Sequence, residues 1–84
     1  MNRYYFTFGS DPKYPYGIGE YVLVKAETIQ QAANLFKAVH PSQVSGELLC
    51  AWVYNEAHFD KMKQEFYPNR DPAETISVKR RSDA

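Results

Sequence analysis

The sequence predicts a single small α+β domain in the order ββαβα(β), a sheet of three or four strands with two helices packed on it. Three observations carry that expectation. Aromatic and β-branched residues recur with period two near the start of the chain. An apolar stripe of helical spacing follows Thr28. The longest apolar run, Leu48 to Tyr54, is too short to span a membrane and suits a strand covered on both faces.

Tyr4 to Phe8 forms the first strand, with Tyr4, Phe6 and Phe8 on one face and Tyr5 and Thr7 on the other. Gly9 to Gly19 holds three glycines and two prolines, which forbid a regular element. This loop enters a second strand, Glu20 to Lys25, most simply antiparallel to the first. Thr28 then caps a helix reaching Val39, with Gln31 completing a capping box and Ile29, Ala32, Ala33, Phe36 and Val39 as its apolar stripe. Pro41 stops it after His40.

Glu47 to Tyr54 reads as the central strand. Its odd face is Leu49, Ala51 and Val53, and its even face Leu48, Cys50, Trp52 and Tyr54. Asn55 caps a second helix from Glu56 to about Phe66, with Phe59, Met62 and Phe66 facing inward. Glu74 to Lys79 alternates around Ile76 and Val78 as a last edge strand. The domain is expected to span 1–78, with 79–84 a polar tail. Parallel and antiparallel arrangements of the strands flanking the first helix both stay open, the second with both helices on one side of the sheet.

Composition narrows the function. Aromatic residues make up 15% of the 84, so they must supply much of the core and some must reach the surface. Ten basic and ten acidic residues cancel, which removes the field that gathers phosphates and argues against direct nucleic-acid binding. One cysteine makes no internal disulfide, and no signal or spanning segment is visible, so a cytoplasmic protein without membrane contact is expected.

No catalytic set stands out. Cys50 sits between apolar residues, where a thiol is more often core than nucleophile. His40 fits a helix C-terminus, and His58 and Asp60 do not share a helix face, so neither a metal nor another cofactor is expected. The Gly9–Gly19 loop is the better candidate: Tyr14 and Tyr16 flank Pro15 beside Lys13. That trio suits a lid over the core, a protein interface, or a stacked base with a phosphate. Trp52 and Tyr54 join the candidate set because Phe59 and Met62, or a partner, must cover them. The basic Lys79-Arg80-Arg81 cluster reads as a solvated terminus.

Three stretches together carry a resemblance: Tyr5-Phe6-Thr7-Phe8-Gly9, the helix with Ala32-Ala33 and Phe36, and Ala51-Trp52-Val53-Tyr54 leading to Phe59 and Tyr67-Pro68. Over roughly 4–76 this pattern resembles small uncharacterised proteins of bacteriophages and prophages. Here Ala51 precedes Trp52, the reverse of the usual order, which moves the Trp to the other face. The resemblance implies an anti-defence, anti-CRISPR-like setting in which a host nuclease is blocked or a nucleotide signal trapped. The expectation is therefore a non-catalytic protein that inhibits a host defence factor by protein–protein contact, through Lys13, Tyr14, Tyr16, Trp52 and Tyr54. The alternatives are an oligomer, such as a homodimer, that sequesters a nucleotide ligand, and a structural accessory protein of a phage.

Overall fold

A computed structural model describes residues 1–77; Val78 and the expected polar tail from Lys79 lie outside the described residues. β1 (Asn2–Thr7), β2 (Tyr21–Ala26), α1 (Ile29–Val39), β3 (Trp52–Asn55), α2 (Glu56–Phe66) and β4 (Glu74–Ser77) follow in the expected order. The four strands make one mixed sheet, β3-β1-β2-β4. β1 is antiparallel to both β2 and β3, and β4 is parallel to β2. Three strands thus point one way, with β1 alone reversed between β2 and β3.

Period two along the strands divides the core into two clusters. Phe6, Val22, Val24 and Ile76 pack with Ala32 and Phe36 of α1. Tyr5, Tyr21 and Leu23 pack with Phe59 of α2 and with Tyr67. The helices therefore lie on opposite faces, which corrects the arrangement with both on one side. The chain crosses from β2 to β3 over one face and returns from β3 to β4 over the other, so the two crossovers share one hand. Each face has a stacked ring pair at its centre: Phe6 on Phe36 at 4.6 Å and Tyr5 on Phe59 at 4.1 Å.

Both helix caps form as the residue types dictate. Thr28 Oγ1 accepts from the Gln31 N–H at 3.1 Å, and Asn55 Oδ1 from the His58 N–H at 2.8 Å. The return bond of the first cap is displaced by one residue: Gln31 Oε1 accepts from the N–H of Glu27, not of Thr28.

The apolar run is where the sequence expectation fails. Leu48 is irregular, Leu49 to Ala51 is a series of bends, and only Trp52–Asn55 pairs as a strand, at the sheet's edge. The central strands are β1 and β2. Leu48, Leu49 and Cys50 instead lie against the α1-side cluster, so their apolar character records burial and not strand pairing. Both helical stripes are also narrower than their spacing suggests. Ile29 and Val39 are exposed at the ends of α1, while Leu35 packs inward. On α2, Phe66 is exposed and its neighbour Tyr67, the C-cap, fills the core position.

Candidate protein-binding surface

The five residues expected to meet a partner fall into two groups on opposite faces of the sheet. Tyr14 and Tyr16 fold back on the α1 side. Their rings lie 6.1 and 5.6 Å from that of Phe8, and a Cβ at Gly9 would sit only 3.4 Å from the Tyr14 ring. The Tyr16 ring also meets His40 edge-on at 5.9 Å. Its hydroxyl donates to Glu74 Oε1 at 3.4 Å, and His40 Nε2 lies 2.7 Å from the same oxygen. Burial, then the Glu74 charge, raises the Tyr16 phenol above its ordinary range. Lys13 Nζ is 2.9 Å from Glu47 Oε2, and Ser42 Oγ donates to the other carboxylate oxygen. Those two hydrogen bonds hold the Glu47 carboxyl below the usual carboxylate range. The loop trio is thus a lid: its rings are turned to the core and its cation is already paired.

Trp52 and Tyr54 belong to the α2 side and lead to a different surface. Ile18, Gly19, Tyr54, Met62, Phe66 and Tyr67 line an open hollow of about 300 Å³, without a charged side chain among them. Gly19 turns the chain there at φ +90°, a conformation that favours glycine. Tyr54 sits between this hollow and Trp52, whose ring is 6.4 Å away. Ile18 is 73% exposed, and Trp52 and Phe66 are each 61% exposed. Scattered apolar residues are normal on a surface; exposed Ile18 and Phe66 on one hollow, with half-buried Tyr54 leading to exposed Trp52 beside it, are a patch of the kind that marks contact sites.

The sequence offered a signal for each member that was missed. Ile18 stands between two glycines in a turn, where no element can bury it. Phe66 and Tyr67 are adjacent at a helix end, so only one of the two rings can face the core.

Other chemistry is sparse. Cys50 lies half-buried in a bend and not within a strand, and desolvation pushes its thiol up to about 11, which suppresses the nucleophilic thiolate. A cleft of about 470 Å³ between Lys13 and the 41–49 segment holds charges that already neutralise each other. Among the described residues no three His, Cys, Asp or Glu side chains gather where a metal ion would sit, and no helix is long and apolar enough to cross a membrane.

No family model, curated protein or solved structure matches this chain. The hollow itself, aromatic and aliphatic and without a cation, suits an apolar side chain from another protein better than a phosphate-bearing ligand.

Proposed function

We propose that this protein is a non-catalytic binding protein that inhibits a host defence factor by protein–protein contact, in the cytoplasm of a phage's host. The observation that carries the binding reading is the uncharged hollow rimmed by exposed Ile18 and Phe66 and continued through Tyr54 to Trp52. Aromatic side chains of this kind concentrate binding energy, because covering each removes a large apolar area from water. The defence setting rests on the sequence resemblance to small phage and prophage proteins. Lys13, Tyr14 and Tyr16 serve in this reading as the lid that holds the Gly9–Gly19 loop, and contact passes to Tyr54, Met62, Phe66 and Ile18. Nucleotide capture has less support, since the hollow has no cation and Lys13 is engaged by Glu47.

The test is phage plating on cells that carry single nuclease-based defence systems and express either the wild type or Ile18→Ser/Phe66→Ser. Wild type restores plating against one system, and the double variant, expressed equally, does not. Plating that stays unrestored against every system, or is restored equally by the variant, contradicts the proposal.

A further inference from the structure

We infer that β3 pairs edge to edge with β3 of a second copy, so that two four-stranded sheets join into one of eight strands. Among the described residues β3 terminates the sheet and no strand pairs with its outer side, the side on which an edge strand presents backbone donors and acceptors. Proteins usually guard such an edge with lysine, another charge or proline. β3 is short, at four residues, but Trp52-Val53-Tyr54-Asn55 carries no charge and no proline.

The strand is also complementary to itself. A two-fold axis normal to the sheet makes the joined strands antiparallel and keeps each face continuous across the junction. Directly opposed residues then share a face, so one residue must lie opposite its own copy. Centring the axis on Val53 sets Trp52 opposite the partner copy's Tyr54, and Tyr54 opposite its Trp52. Aromatic cross-strand pairs of this type stabilise antiparallel strands. Centring on Trp52 or Tyr54 instead runs the pairing past one end of the strand.

Charge does not oppose the association. The chain is neutral overall, and no charged residue lies between Ala51 and Asn55 to face its like. The junction covers Trp52, which the chain's own fold leaves 61% exposed. It also places two Ile18–Phe66 hollows on one continuous face, giving a partner a doubled surface. This inference adds to the binding reading; the junction shares Tyr54 with the hollow's lining, whereas Ile18 and Phe66, the residues changed in the hollow variant, lie outside it.

Light scattering across a concentration series, on the wild type, Trp52→Lys, Thr75→Lys and Ile18→Ser/Phe66→Ser, tests it. Wild-type mass rises toward twice the 9.7 kDa of the chain. Trp52→Lys holds it near the single-chain mass, and Thr75→Lys, on the β4 edge, and the hollow variant leave the dimer intact. Because Trp52 is exposed, the lysine variant keeps its fold, which circular dichroism verifies. Hydrogen exchange supplies a second readout: amides of 52–55 gain protection as wild-type concentration rises and do not in Trp52→Lys. A wild type that stays at single-chain mass overturns the inference. So does a dimer that survives Trp52→Lys or is broken by Thr75→Lys. Loss of phage rescue in the hollow variant with its dimer intact separates the function test from this one.

Discussion

Phe59 and Phe66 lie on the same helix, seven residues apart, and truncating each to alanine should have very different consequences. Phe59 is fully buried, with its ring stacked on Tyr5 at 4.1 Å and 3° and flanked by Tyr21 at 4.9 Å and Tyr67 at 5.4 Å. Removing it forfeits the transfer free energy of a whole ring and leaves a cavity among three tyrosines that cannot all collapse into it. Phe→Ala changes in cores cost about 3–5 kcal/mol. A domain of 84 residues has a total stability of roughly 4–13 kcal/mol at typical per-residue values. Phe59→Ala therefore removes a large fraction of the total, because Phe59 is the one fully buried side chain of α2. Phe66→Ala, at a site 61% exposed, costs less than about 1 kcal/mol. Urea unfolding followed by far-UV circular dichroism measures both. A loss below about 1 kcal/mol for Phe59→Ala, or equal losses for the two variants, refutes the assignment of one ring to the core and the other to the surface.

Two further outcomes follow from the lid and the cysteine. Tyr14→Ala/Tyr16→Ala lowers the melting temperature by about 4–15 °C, the effect of roughly 1–2 kcal/mol in a domain this size, and leaves phage rescue intact at a temperature where the variant is folded; unchanged melting with lost rescue would return the loop to the contact surface. Cys50 resists alkylation in the native protein: with its thiol pushed up to about 11, the reactive thiolate at pH 8 is roughly two-hundred-fold scarcer than in urea, where an ordinary thiol ionises near 8.5, and labelling slows accordingly. A raised folded value means stability present below the unfolded thiol's range and lost as pH climbs through the folded one, so urea midpoints decline on the alkaline side. Equal labelling rates in the two states contradict the burial.

What the sequence made legible was local. Thr28 and Asn55 announce their helices because a cap is decided within three residues, and the alternation of Tyr5 with Phe6 fixes which face each ring takes. What it concealed was decided by distant partners. Leu48-Leu49-Cys50 is equally apolar whether it pairs as a strand or lies across one, and only the β1–β3 register, with Thr7 opposite Trp52, shows where pairing begins. The placement of the helices on opposite faces likewise depends on β4 joining the far edge. For the contact surface, Trp52 and Tyr54 were visible as an aromatic pair needing cover, but the Gly9–Gly19 loop gave its inner tyrosines to the core and its overlooked Ile18 to the hollow. His40, read as a helix end, gained a partner 34 residues away in Glu74.

In the proposed reading the Ile18–Phe66 hollow lies outside the stabilising core and is covered by another protein. Measuring melting temperature and phage rescue side by side on Ile18→Ser/Phe66→Ser tests it most directly. The expected result is a melting temperature within about 4 °C of the wild type, equivalent to less than about 1 kcal/mol, together with loss of rescue. A large fall in melting temperature, or rescue that persists unchanged, would contradict it.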